Sequence, residues 1–339
     1  MADAAPGAPR IGPLGARRSP ARPARRLAEV SRRRPPPLPP RDGLDPARVR
    51  MPDDGPWSTL RDHLVDRLPV PSARVDAMLA EGRIVGDDGP LGPDAPFVPR
   101  AVVWFHRDLP DEAPVPFAVE VVHRDDEIVV VDKPHFLATI PRGRHVRETA
   151  LVRLRHELGL PDLSPAHRLD RVTAGLVLFV ADRDRRGTYQ NLFRDRRVAK
   201  VYEAVAPYDP SVDLPRVVRS RIVKERGVVT AYETPGEPNA ETLVELIDVR
   251  AGRARYRLTP HTGRTHQLRV HMASLGLPLL GDPFYPAVRD VPLDDFRAPL
   301  QLLARELAFP DPRGGVGRRF VSRRTLQAWD DPDGWAAGP

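Results

Sequence analysis

The sequence contains no cysteine. Disulfides, thiolate zinc sites and every cysteine-nucleophile enzyme are thereby excluded. Lysine is nearly absent: Lys133, Lys200 and Lys224 are the only lysines among 53 basic residues. No stretch approaches the ~18 consecutive apolar residues of a membrane helix. The opening run MADAAPGAPRIGPLGARRSP has no apolar centre, so no secretory leader is expected and the cytoplasm is the expected compartment. The Gly-Lys-Ser/Thr phosphate loop is missing, and no dinucleotide or methyl-donor loop is visible. The one glycine cluster, Gly314-Gly315-Val316-Gly317, follows no strand, opens no helix and reads as a turn. No nucleotide cofactor is expected.

The 339 residues, 41% of them hydrophobic, suffice for about two domains and a sizeable core. Net charge is +7 but unevenly spread. Residues 1–50 carry 12 arginines against 4 acids, whereas residues 53–112 carry 6 arginines against 12 acids. The basic character therefore sits in the first fifty residues and in the part beyond 112. Basic surface of this kind suits nucleic acid. A GC-rich genome would produce the same Arg, Pro and Ala bias without that demand. With 11 prolines in its first fifty residues and the run Arg32-Arg33-Arg34-Pro35-Pro36-Pro37, segment 1–52 is expected to be a disordered tail.

Residues 53–115 read as a small module. Leu60, Leu64 and Leu68 share one helix face, with Ser58 as the expected cap. Ser72 is expected to cap a second helix bearing Val75, Met78 and Leu79 and stopped at Gly82. Ile84-Val85 starts a strand, and Asp88-Gly89 is a turn signal. Beyond 116 the apolar runs Glu127–Asp132 and Leu176–Val180 read as buried strands, and Lys200–Ala206 as an alternating one. Thr242–Ile247 and Arg255–Leu258 form a further strand pair. Leu151, Leu154 and Leu158, residues 189–197 and residues 265–275 read as helices. Strands and helices interleave without a strict alternating unit, which predicts an α+β fold with a mixed sheet.

Two patterns carry chemistry. His261, His266 and His271 fall five apart, a spacing that disperses them around a helix, and no metal site is expected. In His167-Arg168-Leu169-Asp170-Arg171-Val172-Thr173-Ala174-Gly175, a carboxylate flanked by two arginines stands just before a buried strand. Such a group is either a structural ion pair or a usable nucleophile or base.

The segment 167–179 resembles the HRLDRxTSGLLLF signature of the RluA/RluD-type pseudouridine synthases. Three further blocks occur in that family's order. Asp126–Pro134 resembles DDLLVVNKP, and Lys200-Val201-Tyr202-Glu203-Ala204 resembles KxYxA. Thr262–Met272 through Gly281-Asp282-Pro283-Phe284-Tyr285 resembles TGRTHQIRVHLxxxGxPxxGDxxY. Ala174 replaces the usual serine, Leu303-Ala304 stands for His-Ala, and Asp311-Pro312 for His-Pro. Residues 53–115 resemble an alpha-L RNA-binding module in a degenerate form that lacks its basic residues.

The resemblance implies a pseudouridine-synthase catalytic domain over 116–330, with a mixed, mainly antiparallel central sheet. It implies a cofactor-free isomerisation of uridine in rRNA or tRNA. Asp170 would be the catalytic carboxylate, Tyr202 a stacking partner of uracil, and Arg269 the cation paired with Asp170. Arg168 would lie beside the extruded base. His167, Arg171, Thr173, Arg264, His266 and Gln267 are further candidates for substrate contact. Arg183–Lys200, with 7 basic and 2 acidic residues, is a candidate RNA-backbone contact. The chain is expected to act as a monomer with RNA as partner. Two rivals stand beside this reading. One is a catalytically silent RNA-binding or ribosome-assembly protein on the same fold. The other is a carboxylate-based sugar hydrolase, which would need a second well-placed acid.

Overall fold

Ile128–Lys133 and Ala174–Val180 are buried at every position and pair antiparallel, Ile128 opposite Val180 and Lys133 opposite Gly175. Side chains alternate across a strand, so an unbroken apolar run serves a sheet covered on both faces. Val129, Val131, Val177 and Phe179 face the helix Ala150–Leu158 through Leu151 and Leu154. Ile128, Val130, Leu176, Leu178 and Val180 face the opposite way, onto Tyr189 and Leu192 of the helix Arg186–Arg194. Thr149 caps the first of these helices by accepting the Val152 N–H at 3.3 Å. Gly159, at φ 65°, ends it.

In this computed structural model, which describes residues 36–109 and 111–337, the two strands belong to an eleven-stranded sheet. Its spatial order is Tyr232–Thr234, Arg216–Val223, Ala240–Arg250, Arg253–Pro260, Ala199–Pro207, Leu302–Phe309, Ala174–Val180, Ile128–Lys133 and Glu120–Arg124. Two short strands, Arg318–Val321 and Ser164–Pro165, pair beside this path. Among the described residues the one parallel strand pair joins Leu303 to Ala174 and Ala304 to Gly175. The sheet is thus mixed and mainly antiparallel, and the molecule is α+β. Gly175 sits at that junction at φ 110°, where a Cβ would lie 2.4 Å from the Ala304 carbonyl oxygen, so no side chain fits. A second core beside the strands 199–207, 240–250 and 253–260 packs Leu268 and Met272 of the helix Gln267–Ser274 against Val244, Tyr256 and Leu258. Among the described residues no helix is long and apolar enough to cross a membrane.

The 53–115 segment folds with two short helices, Leu60–Arg67 and Ser72–Ala80, and a hairpin that pairs Gly86 with Gly89. The first helix starts one residue later than expected. Thr59, and not Ser58, accepts the Asp62 N–H at 3.1 Å while Asp62 accepts the Thr59 N–H at 3.3 Å, a reciprocal capping box. Ser72 is the first residue of the second helix rather than its cap. The acids of this module answer its own arginines, Asp76 to Arg61 at 2.5 Å and Asp108 to Arg74 and Arg83 at 2.5 and 3.0 Å.

The boundary of the expected tail at 52 needs correction. Ala47–Arg50 is a strand paired antiparallel with Val102–Phe105, and Ala47 and Met51 are buried in the module's core. Ala47 and Val49 alternate with arginines, which is a one-sided strand despite the surrounding Arg and Pro. Arg155, on the helix Ala150–Leu158, ties this segment to the part that holds the large sheet, donating to the Gly43 carbonyl and to Asp45 at 3.0 and 3.1 Å. Residues 1–35 lie outside the described residues.

Candidate active site

Asp170 lies in the turn that feeds Ala174–Val180, its carbonyl accepting the Thr173 N–H at 3.1 Å. Three residues that follow Asp132 hold this turn. Thr139 Oγ1 accepts the Leu169 N–H at 3.1 Å and donates to the Leu169 carbonyl at 2.8 Å. Lys133, wholly buried, donates to the Pro134, Leu137 and Arg171 carbonyls at 2.9, 2.7 and 3.4 Å. His135 Nδ1 donates to the Val172 carbonyl at 2.8 Å. Lys133, at the end of the Asp126–Pro134 block, and His135 and Thr139 just beyond it are therefore the support on which the aspartate loop rests. Burial pushes Lys133 down to about 7, opposed by the charge of Asp170.

The aspartate faces a cavity of about 490 Å³, within the range of small-ligand sites. Tyr202 comes to it from the strand Ala199–Pro207, and Arg269 from the helix Gln267–Ser274. Burial first, then the charge of Asp170, raises the Tyr202 phenol above its ordinary range, so it stays protonated at neutral pH. It offers an aromatic face and an O–H, not a phenolate.

Arg269 NH1 stands 3.7 Å from Asp170 Oδ2, so the expected ion pair is present, but it is not the main bond of the guanidinium. Nε and NH2 donate to Asp282 at 2.8 and 2.6 Å, a two-pronged pair with both side chains almost wholly buried. Burial works against the Arg269 cation, but the hydrogen bonds and charge of Asp282 outweigh it and raise its pKa. The Arg269 guanidinium also lies 5.1 and 5.2 Å from the ring centres of Phe284 and Tyr285. Sequence reasoning gave Asp282, Phe284, Tyr285 and Thr139 no role. The signal present was the Gly-Asp-x-x-Tyr spacing, which places an acid and two rings on one turn.

His266 occupies the left-handed region at φ 57°, a strained setting for a residue with a side chain. The Tyr285 hydroxyl accepts the Ala231 N–H at 2.8 Å, donates to the Ala231 carbonyl at 2.9 Å, and lies 2.9 Å from His266 Nδ1. All three bonds are satisfied together when Nδ1 carries the proton. The Nε2 of His266 is then an acceptor, 3.8 Å from Asp170 Oδ2. Burial pushes His266 down to about 4 against the pull of Asp170, so the ring is neutral at pH 7.

The remaining candidates separate. Arg168 is exposed at the cavity wall, and Arg264 is exposed there too while donating to the Asn239 carbonyl at 3.1 Å. Arg194, Arg196 and Lys200 from the basic stretch join them on the lining. Thr173 is buried in the wall. His167 also lines the cavity, but its Nε2 accepts the Leu178 N–H at 3.1 Å and its ring stacks on Phe193 at 4.3 Å. Burial pushes it down to about 3, and its polar edge is committed to the fold. Gln267 is likewise committed: it accepts from Thr262 and Arg264 at 2.7 and 3.0 Å and donates to Glu241 and Thr242 at 2.9 and 3.0 Å. Arg171 does not line the cavity. Its guanidinium lies over the Phe136 ring at 5.8 Å and donates to the Leu293 carbonyl at 2.8 Å. Of the three evenly spaced histidines, His271 is buried between Thr242 and Ser220 at 2.9 and 3.1 Å, His266 faces Asp170, and His261 is exposed on the lining.

A family model described as RNA pseudouridylate synthase matches residues 127–274. The Dual-specificity RNA pseudouridine synthase RluA of Pasteurella multocida is 36% identical over 213 residues, covering 57% of this chain and 88% of that one. Its namesake in Escherichia coli K12 is 37% identical over 171 residues, covering 49% and 76%. The solved structure of Human RNA Pseudouridylate Synthase Domain Containing 4 aligns with a TM-score of 0.47 at 25% identity, covering 61% of this chain and 88% of that one. The family model begins at the strand that carries Lys133 and ends with the helix that carries Arg269, so it spans both walls of the cavity around Asp170. On that match, and on the identity shared along most of the length of the Pasteurella enzyme, the chain belongs to the RluA-type family of RNA pseudouridine synthases and is an isomerase.

Proposed function

We propose that the chain converts specific uridines of rRNA or tRNA into pseudouridine, with Asp170 as the catalytic carboxylate. One observation carries the reading: among the described residues Asp170 is the sole carboxylate that lines the cavity, and it stands among Arg168, Arg194, Arg196, Lys200, Arg264 and Arg269. That balance suits an anionic polymer threaded past a single reactive acid. The reaction breaks the bond from uracil N1 to the ribose and forms one from C5. N1 gains a proton and C5 loses one, so composition is unchanged and no redox partner is required. Tyr202 gives the extruded uracil a stacking face, and Arg269 keeps a cation beside the carboxylate. The exposed arginines meet RNA phosphates, and the enzyme works as a monomer. A relative described as dual-specificity favours a target set wider than one RNA. A sugar hydrolase of the two-carboxylate kind is disfavoured, because Asp282 is wholly buried against Arg269 and does not line the cavity.

The test is a transcriptome-wide pseudouridine map of a deletion strain against its parent. Sites absent from the deletion strain, restored by the wild-type gene and not by Asp170→Asn, are expected in rRNA or tRNA. An unchanged map overturns the assignment of target, and restoration by Asp170→Asn overturns the role of Asp170.

A further inference from the structure

The guanidinium of Arg269 has two edges, and the fold has given the better one away. Nε and NH2, which form the fork that suits a carboxylate, are both spent on Asp282. NH1 alone faces Asp170, at 3.7 Å, and has no hydrogen-bond partner although it is buried. An arginine free to turn beside Asp170 would close on it with two bonds of about 2.7–2.9 Å. Such a bond would occupy the carboxylate oxygens that the reaction needs.

The segment from Gly281 to Tyr285 is shaped to prevent this. Asp282 Oδ1 accepts the N–H groups of Phe284 and Tyr285 at 2.8 and 3.2 Å, which turns both rings onto the guanidinium. Gly281 admits the turn at φ 72°, where a Cβ would lie 2.5 Å from the Pro299 carbonyl oxygen. Two carboxylates thus share one cation, and the buried one holds it.

We propose that Asp282 is a positioning residue that holds Arg269 back from Asp170, so that one nitrogen addresses the carboxylate and its oxygens stay open to substrate. The proposal rests on the reading of Asp170 as the catalytic carboxylate. Asp282→Asn separates the two tasks of the side chain. With its oxygen at the Oδ1 place, the amide still accepts from Phe284, Tyr285 and NH2, while its NH2 group confronts Arg269 Nε. Asp282→Glu keeps the charge but displaces the fork by one methylene.

The experiment is single-turnover release of tritium from total RNA labelled at uridine C5 and taken from a strain lacking the gene. Filter binding of the same RNA is measured alongside. Asp282→Asn is expected to slow turnover about 100-fold while affinity changes by no more than about twofold, with Asp282→Glu falling between it and wild type. In an Arg269→Lys background the Asp282→Asn effect is expected to shrink to about twofold, because the two act as one unit. Full multiplicative effects in the double variant, or a wild-type rate in a folded Asp282 variant, overturn the proposal. If Asp282→Asn does not fold, Asp282→Glu alone decides: a wild-type rate overturns the proposal and a slowed rate with intact binding supports it. Asp170→Asn in the same assay separates the two ideas. If it is active, the reading beneath fails; if it is inactive while Asp282→Asn is normal, only the positioning role fails.

Discussion

Thr139 makes two bonds with one hydroxyl, and both end on Leu169, the residue before Asp170. Thr139→Val keeps the volume and leaves a buried N–H and C=O unpaired, a loss of about 1–3 kcal/mol. Urea denaturation should show that loss, and single-turnover tritium release should fall further than RNA affinity. Equal stability in the variant would show that the loop does not depend on this hydroxyl. Arg269→Lys keeps the charge but cannot span Asp282 with two prongs while facing Asp170. Turnover should fall about 100-fold with RNA affinity within about twofold. A phosphate contact would give the reverse, weaker binding and near-normal turnover at saturation. That Asp170, Tyr202 and Arg269 meet at one cavity was legible because the acid and the cation lie in long motifs and the tyrosine in a short one that follows in order. Arg171 and Gln267 lie in the same motifs and look equally functional in a string of letters. Which side of a turn a side chain leaves by depends on partners such as Leu293 and Glu241, more than twenty residues away.

The secondary-structure elements divide along the same line. The strands 128–133 and 174–180 were readable because a doubly buried strand needs an unbroken apolar run. Helix 186–194 was placed three residues late, since Arg186 and Gly187 give no apolar signal, and the inward residues Tyr189 and Leu192 come later. Strand 47–50 was missed because its neighbours are Arg- and Pro-rich, although Ala47 and Val49 alternate with arginine. This element sets where a truncation can be made. Residues 1–36 carry 9 arginines against 2 acids, and removing them should weaken RNA binding and flatten its salt dependence, with turnover at saturating RNA unchanged. Removing residues 1–50 also deletes the strand and the partners of Arg155, so the thermal midpoint should drop as well. An unchanged salt slope in the shorter truncation would show that the first 36 residues do not touch RNA.

Over the whole molecule, burial of neutral histidines couples folding to pH. His135 and His266 are pushed down to about 4 and His167 to about 3, each chiefly by burial. The unfolded chain binds these protons near pH 6.5, and the folded chain refuses them until the lower values. In that window the unfolded state holds more protons, so stability is complete above pH 6.5 and is lost as pH falls towards 4. These shifts are each worth on the order of 3–5 kcal/mol. The urea midpoint should decline steadily over that range, and His266→Gln should flatten the decline; a midpoint constant from pH 7 to 4.5 would contradict the account.

The central claim is that one carboxylate, Asp170, carries the chemistry in a site otherwise lined by cations and neutral groups. It is tested most directly by single-turnover tritium release from C5-labelled RNA with Asp170→Asn, a change that keeps size and removes charge. Wild-type enzyme should release tritium while the folded variant, binding the same RNA, releases less than about 1% as much. Release by Asp170→Asn at a rate near that of wild type would contradict the account.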